Sequence, residues 1–135
     1  MTTSEERPAA LSVVIPVYNE GNALDSHVHE LTRVIESTDI EDWELILVDD
    51  GSEADTARVI ERLSAEDHIR GLTHERNRGK GAALRTGMAQ TRGDICVFCD
   101  ADMSTPAETL IDFVPRIRPR ADAVIRTRNS RQAHI

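Results

Sequence analysis

The stretch ELILVDDGSEADTARVIERL, residues 44–63, contains the pattern that decides the fold. Its opening apolar run predicts a buried strand over Glu44–Val48. After a polar turn, Ala57, Ile60 and Leu63 recur at helical spacing and predict a helix with one apolar face. A strand, a polar turn and an amphipathic helix together form the unit from which parallel α/β sheets are built.

The same alternation continues along the rest of the chain. Further strands are predicted at Leu11–Val17, Ile69–Thr73, Ile95–Cys99 and Ala123–Thr127. A first helix is marked by Leu24, Val28, Leu31 and Ile35, and a last one by Leu110, Phe113, Val114 and Ile117. Another helix is expected from about Gly79 to a stop at Gly93, and Pro106 suits the first turn of the last helix. We therefore expect a three-layer α/β/α, Rossmann-like domain with a mostly parallel sheet.

Composition and charge are those of a globular protein. The 135 residues are 39% hydrophobic and 30% charged, enough for one domain with a core. No apolar run reaches the roughly 18 residues of a membrane helix, and the first residues do not resemble a signal peptide, which predicts a cytoplasmic protein. Residues 1–70 carry 17 acidic and 5 basic side chains, and residues 71–135 carry 7 and 11. The net charge of −8 argues against nucleic-acid binding, whereas the basic second half suits a phosphate-bearing substrate, a lipid surface or simple solvation.

Cysteines and histidines offer no metal site of their own. Cys96 and Cys99 form a C-x-x-C pattern, but strand alternation places them on opposite faces and no second ligand pair follows. We expect both thiols to be buried in the core. The five histidines show no metal-binding spacing and are expected at the surface.

Polar loops follow three of the predicted strands, at the edge where parallel sheets bind ligands. The loops are Pro16-Val17-Tyr18-Asn19-Glu20, Asp49-Asp50-Gly51-Ser52 and Asp100-Ala101-Asp102. Asp100 and Asp102 repel each other unless a cation lies between them, and Mg²⁺ or Mn²⁺ bound to a diphosphate meets that need. Of Asp49 and Asp50, one can face a ribose or base while the other orders the loop. Asp50 or Ser52 can alternatively cap the next helix.

The segment from Asn77 to Gly87 predicts a phosphate clamp around Lys80. It combines glycines, cations and a helix N-terminus, all of which favour a bound anion. A P-loop is excluded because Gly81, rather than Ser or Thr, follows Lys80. The dinucleotide fingerprint G-x-G-x-x-G is interrupted by Leu84, so an NAD-dependent dehydrogenase is the weaker alternative.

Four motifs, in this order, resemble glycosyltransferase family 2, which has the GT-A fold, and in particular its polyprenyl- and dolichyl-phosphate mannose or glucose synthases. They are Val13-Val14-Ile15-Pro16-Val17-Tyr18-Asn19-Glu20, Leu47-Val48-Asp49-Asp50-Gly51-Ser52, Asn77-Arg78-Gly79-Lys80-Gly81 and Asp100-Ala101-Asp102. The resemblance implies a flexible segment at 1–10, a GT-A donor-binding domain at 11–128 and a tail at 129–135 where an acceptor-binding half begins.

By the same resemblance, Pro16, Tyr18 and Glu20 line the nucleotide pocket and Asp49 contacts the base. Asp100 and Asp102, the DXD motif, hold Mg²⁺ or Mn²⁺, and Ser104 stands where the mannose synthases often carry a metal-shell Gln. Arg128 lies near the acceptor phosphate. The expected nucleotide-sugar-binding residues are Pro16, Tyr18, Glu20, Asp49, Asp50, Lys80, Asp100, Ala101 and Asp102.

The activity implied is inverting transfer of a hexose from a UDP-glucose or GDP-mannose type donor to polyprenyl or dolichyl phosphate. No catalytic base is visible in the sequence, and an acceptor that is already an anion needs none. Peripheral contact at the cytoplasmic face of the membrane is expected from the Arg-rich end of the chain. Because family members continue past this point, the alternative is a non-catalytic nucleotide-sugar-binding fragment that lacks the acceptor half.

Overall fold

The structure is a computed structural model that describes residues 10–102 and 106–112, the last three of these by their backbone alone. Strands and helices alternate through this part. They are β1 (Leu11–Val17), α1 (Ala23–Glu36), β2 (Trp43–Asp50), α2 (Ala54–Leu63), β3 (Ile69–His74), α3 (Lys80–Met88), β4 (Ile95–Phe98) and α4 (Ala107–Asp112). The predictions for Ser104, Phe113, Val114, Ile117, Ala123–Thr127 and Arg128 fall outside the described residues.

The four strands form a parallel sheet in the order β3-β2-β1-β4. From β1 the chain moves outward to β3, and α3 then carries it back across β2 and β1 to β4. The direction of winding therefore reverses between β1 and β4. In open parallel sheets, ligands bind beyond the carboxyl ends of the two strands that flank such a reversal.

Helices cover both faces of this sheet, which confirms the predicted three layers. Val13, Ile15 and Val17 of β1 lie in a large apolar cluster with residues of α1, α2 and α4. Val14 lies in a second cluster, on the opposite face, that includes Ala83 of α3. Since both faces of β1 are buried, its sequence is apolar except at Ser12 rather than alternating.

Cys96 and Cys99 are buried in the two clusters on opposite faces of the sheet, as predicted. Burial and the charge of Glu44 raise the pKa of Cys96 to about 11. Burial and the charges of Asp100 and Asp102 raise the pKa of Cys99 to about 12. Both thiols are therefore protonated near neutral pH, which makes them poor metal ligands and nucleophiles.

The predicted end of the third helix was wrong. Helix α3 ends at Met88, and Gly93 lies well beyond it, two residues before β4 and packed beside the start of β1. A Cβ added at Gly93 would stand 2.9 Å from the backbone oxygen of Ala10 and 2.9 Å from the carbonyl carbon of Leu11, so the glycine permits a close approach of two backbones. None of the helices in the described residues has the length and apolarity needed to cross a bilayer.

The close contact between helix and sheet falls at Gly87. A Cβ added there would lie 2.4 Å from Val14 Cγ1 and 3.1 Å from Val48 Cγ2. Leu84, one turn earlier, is half-buried and packs against the smaller apolar cluster. The glycine that a close helix–strand contact requires is thus present, but at a position that does not match the dinucleotide fingerprint.

Candidate functional site

A pocket of about 450 Å³ opens at the carboxyl ends of β1 and β4, where the winding reverses. Its lining comes from the carboxyl ends of β1 and β2, from the loops after β1, β3 and β4, and from the first residue of α3. The lining residues are Pro16, Val17, Tyr18, Glu20, Asp50, Asn77, Gly79, Lys80, Asp100, Ala101 and Asp102. The structure therefore brings together all the predicted nucleotide-sugar-binding residues except Asp49.

Asp100 and Asp102 follow β4 directly and give the pocket a negative wall. Lys80 Nζ donates a hydrogen bond to Asp100 Oδ1 at 2.5 Å, and Asp100 is 12% exposed. Glu20 also lines the pocket, and its pKa lies above the ordinary value. Burial is the largest cause of this rise; the negative charges of Asp102 and Asp100 add to it, and His27 opposes it.

These carboxylates suit a hard divalent cation. Within residues 10–102 and 106–112, no group of three or more His, Cys, Asp or Glu side chains is arranged to hold a metal ion. Mg²⁺ is commonly bound by one or two carboxylates, with the remaining positions taken by water and substrate phosphate oxygens. Asp100 and Asp102 therefore fit an ion whose coordination is completed by a bound ligand.

The backbone between the two aspartates is held by a histidine of α1. Ala101 is buried, and its carbonyl oxygen lies 3.0 Å from His27 Nδ1. Because a carbonyl only accepts, Nδ1 carries the proton and donates. His27 is half-buried, so sequence reasoning, which expected it at the surface, missed this contact across 74 residues of chain.

Asp50 organises the loop that precedes α3. Its carboxylate is buried and accepts hydrogen bonds from His74 Nδ1 (2.8 Å), Asn77 Nδ2 (3.1 Å), Arg78 N (2.9 Å) and Gly79 N (2.9 Å). Burial alone would raise the pKa of Asp50, but the hydrogen bonds outweigh it and the pKa lies below its ordinary value. Asp50 thus orders the loop between β3 and α3 while it also lines the pocket.

Asp49 is not in the pocket lining described but lines a separate cavity with residues of α2. It is buried, and its Oδ1 accepts a hydrogen bond from the backbone N–H of Ser52 at 2.9 Å. Helix α2 begins after Glu53 without a side-chain cap, so the alternative of Asp50 or Ser52 as a cap was wrong. Asp49 instead closes the turn that leads from β2 into α2.

Asn19 ties the loops after β1 and β2 together, a role that sequence reasoning did not find. Its N–H donates to Ser52 Oγ at 2.8 Å, and its Oδ1 accepts from the N–H of Glu53 at 2.7 Å. Its φ of 54° is in the left-handed region, which Asn tolerates better than most residues. The available signal was an Asn in a polar turn directly after a buried strand.

His74 is also buried, which corrects the expectation that all the histidines lie at the surface. It ends β3 and bonds to Asp50 through Nδ1 and to Thr86 Oγ1 through Nε2, both at 2.8 Å. Its position two residues after Leu72 places it on the strand face that packs toward α3. That alternation was the signal that a polar residue there would be buried and hydrogen-bonded.

Comparison with known proteins bears on this site. The profile described as "Glycosyl transferase family 2" matches residues 12–134. The chain is 37% identical over 124 residues to an undecaprenyl-phosphate 4-deoxy-4-formamido-L-arabinose transferase of Pseudomonas fluorescens, covering 90% of this chain and 36% of the relative. The corresponding transferase of Salmonella choleraesuis is 36% identical, and the match covers 90% of this chain and 38% of that relative. The chain thus spans little more than a third of the length of these relatives.

Solved structures share the fold. A mannosyltransferase of Pyrobaculum calidifontis, in complex with GDP-Man and Mn²⁺, matches with a TM-score of 0.61 and 25% identity over 73% of this chain and 29% of that one. A glucosyl-3-phosphoglycerate synthase of Mycobacterium tuberculosis, in complex with Mn²⁺, UDP and phosphoglyceric acid, matches with a TM-score of 0.55 and 29% identity. The match covers 73% of this chain and 37% of that one. Both of these proteins bind a nucleotide together with Mn²⁺.

Proposed function

The chain belongs to glycosyl transferase family 2, and on that basis we propose that it is the donor-binding part of an inverting, metal-dependent glycosyltransferase. The observation that carries the proposal is the pocket at the carboxyl ends of β1 and β4. There Asp100 and Asp102 lie with Lys80 and with the loop that Asp50 orders. The ligand that suits this combination of acids, cation and polar loops is a nucleoside-diphosphate sugar with a divalent cation.

Asp100 and Asp102 would hold Mg²⁺ or Mn²⁺. The ion would supply positive charge that offsets the negative charge growing on the departing nucleoside diphosphate. Lys80 is 51% exposed at the same pocket, so its ammonium can turn from Asp100 toward a phosphate oxygen. Because α3 begins at Lys80, the positive end of the helix dipole also lies at the pocket. These groups together would stabilise the leaving group.

The nucleotide would occupy the β1 side of the pocket. Pro16 and Glu20 line that side, and Tyr18 is 49% exposed, so its ring is accessible to a base or sugar. The contact of Asp49 with the base stays a prediction. Comparing uridine and guanosine nucleotides on Asp49→Asn tests it, because loss of a base contact changes the preference between them.

The acceptor would be a lipid phosphate such as polyprenyl phosphate. The names of the curated relatives specify undecaprenyl phosphate, and a phosphate acceptor is already an anion that needs no general base. Contact of Arg128 with that phosphate, and peripheral contact of the Arg-rich end with the cytoplasmic face of the membrane, are parts of the same proposal.

A second candidate function is donor binding without transfer. The chain covers 36% of the length of the undecaprenyl-phosphate 4-deoxy-4-formamido-L-arabinose transferase of Pseudomonas fluorescens, and the pocket described lies within that part. Acceptor binding and catalysis would then require residues beyond those of this chain.

Calorimetry followed by a transfer assay separates these alternatives. UDP, GDP, UDP-glucose and GDP-mannose are titrated into the 135-residue chain with Mn²⁺ and again with EDTA. Radiolabelled donor is then supplied with polyprenyl phosphate and Mn²⁺. Labelled lipid supports the transferase, binding without labelled lipid supports the binding fragment, and no binding of any nucleotide contradicts both.

A further inference from the structure

A chain of buried and partly buried hydrogen bonds runs from Thr86 of α3 through His74 to Asp50 at the edge of the pocket. Thr86 of α3 lies 2.8 Å from His74 Nε2, and His74 Nδ1 lies 2.8 Å from Asp50 Oδ1. The side chains of His74 and Asp50 are each 5% exposed. At such depth a polar atom left without its partner costs about 1–3 kcal/mol, so these contacts hold one another in place.

The direction of the hydrogen bonds follows from the charge on Asp50. An ionised carboxylate only accepts, so His74 Nδ1 carries the proton and donates it to Oδ1. In the neutral imidazole, Nε2 is then an acceptor, and the hydroxyl of Thr86 donates to it. Asp50 thereby sets the tautomer of His74, and the hydroxyl of Thr86 satisfies the ring nitrogen that this tautomer leaves as an acceptor.

Asp50 transmits this order to the loop beside the pocket. The N–H groups of Arg78 and Gly79 and the side-chain amide of Asn77 all donate to its carboxylate. Gly79 has a φ of +101°, so the loop holds a conformation that other residues rarely adopt. The next residue is Lys80, and its position relative to Asp100 depends on how this loop is seated.

Among the described residues, Asn77, Gly79 and Lys80 line the pocket whereas His74 does not. We propose that His74 is a positioning residue of the donor site, which acts through Asp50 to hold the loop of Asn77–Gly79, and with it Lys80, in the arrangement that receives the diphosphate. The inference rests on the proposed function and adds to it a residue that makes no contact with the ligand. Outer contacts of this kind typically change affinity by about ten- to a hundredfold.

Two isosteric replacements separate the bond to Asp50 from the bond to Thr86. The amide nitrogen of His74→Asn falls near the position of ring Nδ1 and retains a donor for Asp50. That of His74→Gln falls near Nε2, retains a partner for Thr86 and leaves Asp50 without its donor. We expect His74→Gln to weaken binding of Mn²⁺–UDP and Mn²⁺–GDP about tenfold or more, and His74→Asn to stay within about threefold of the parent chain.

A second measurement does not depend on ligand. Amide hydrogen exchange of Arg78 and Gly79 in the ligand-free chain is expected to be faster in His74→Gln than in His74→Asn, because their acceptor is no longer fixed. His29→Gln on α1, whose ring bonds to Glu66 away from the pocket, is the control and should change neither exchange at these amides nor binding. Thermal unfolding of each variant separates a local effect from global loss of stability.

The outcomes distinguish this inference from the proposed function. If the parent chain binds no Mn²⁺–nucleotide, the proposed function fails, and the exchange data alone decide whether His74 orders the loop. If His74→Gln is folded and retains parental exchange and parental binding, the positioning role is overturned. If His74→Gln does not fold, Thr86→Val gives a second test, because it removes the partner of His74 Nε2 and leaves Asp50 intact. Faster exchange at Arg78 and Gly79 in this variant supports the role, and parental exchange contradicts it.

Discussion

Lys80 and Asp100 form an ion pair at the place proposed for the metal ion. The ammonium of Lys80 lies 2.5 Å from Asp100 Oδ1, so the lysine neutralises part of the negative charge that a divalent ion would otherwise neutralise. A metal ion that binds alone must compete with Lys80. With a nucleotide present, the lysine has a phosphate to turn to instead.

We therefore predict that Lys80→Met binds Mn²⁺ alone about two- to fivefold more tightly, the equivalent of an ion pair worth about 0.5–1 kcal/mol. The same variant should bind Mn²⁺–UDP or Mn²⁺–GDP less tightly, because a phosphate partner is lost. Calorimetry and the electron spin resonance of free Mn²⁺ measure both. Arg85→Met, which removes an exposed cation from the same helix, is the control. Weaker binding of Mn²⁺ alone to Lys80→Met would refute this reading of the pair.

Glu44 lies near the amino end of β2, at the end of the sheet opposite to the pocket, and contributes to the stability of the fold rather than to ligand binding. Its carboxylate accepts hydrogen bonds from Ser12 Oγ (2.6 Å), Arg92 N (2.7 Å) and Arg70 Nη2 (3.0 Å). Burial opposes its ionisation, but these bonds outweigh burial and hold the pKa of Glu44 below 4.5. A lowered carboxyl pKa stabilises the fold above the unfolded value, and that stabilisation is lost as pH falls through the folded value.

Glu44→Gln should therefore reduce the free energy of unfolding by about 1–3 kcal/mol near neutral pH. The difference from the parent chain should shrink progressively below pH 4.5, where the parent's carboxylate also becomes neutral. Urea denaturation at a series of pH values measures this. Glu41→Gln, at an exposed position, should stay within about 0.5 kcal/mol of the parent. A deficit in Glu44→Gln that is constant with pH would show that ionisation is not its cause.

At the scale of elements, the packing of α3 on the sheet depends on a glycine. Because a Cβ at Gly87 would stand 2.4 Å from Val14 Cγ1, Gly87→Ala must push the helix away or displace the valine. We expect a loss of about 1–3 kcal/mol in the free energy of unfolding. Gly81→Ala on the same helix meets only Arg85 Nη1, at 3.5 Å, and should be neutral or stabilising. Equal stability of the two variants, by chemical denaturation, would contradict the close contact.

Among the described residues, the existence and type of each strand and helix followed from the sequence, whereas several boundaries and side-chain partners did not. The bounds of β1 were predicted because its run, apolar except at Ser12, ends at a polar turn. The end of α3 was not, because residues 89–92 include no strong helix breaker and the chain turns there through contacts such as that of Arg70 with the carbonyl of Gln90. The burial of His74 was missed because its partners, Asp50 and Thr86, are 24 and 12 residues away in sequence.

At the scale of the whole molecule, the order of the strands in the sheet brings the residues of the site together. Asp100 and Tyr18 are some 80 residues apart in sequence and meet because β4 returns to lie beside β1. Spacing alone predicted that three polar loops share one edge of the sheet, and the family resemblance predicted their ligand. Two features depend on side-chain geometry that a pattern of residue types does not contain. They are the ordering of the loop before α3 by Asp50 and the contact of Lys80 with Asp100.

Nucleotide titration of Asp102→Asn with and without Mn²⁺ tests the central claim most directly. The parent chain should bind UDP or GDP with Mn²⁺ and lose that binding in EDTA, and Asp102→Asn should weaken Mn²⁺-dependent binding by at least about tenfold. Asp67→Asn, at an exposed position outside the pocket lining described, should bind as the parent does. Binding that is the same in EDTA as in Mn²⁺, and unchanged in Asp102→Asn, would contradict a metal-held diphosphate at the end of β4.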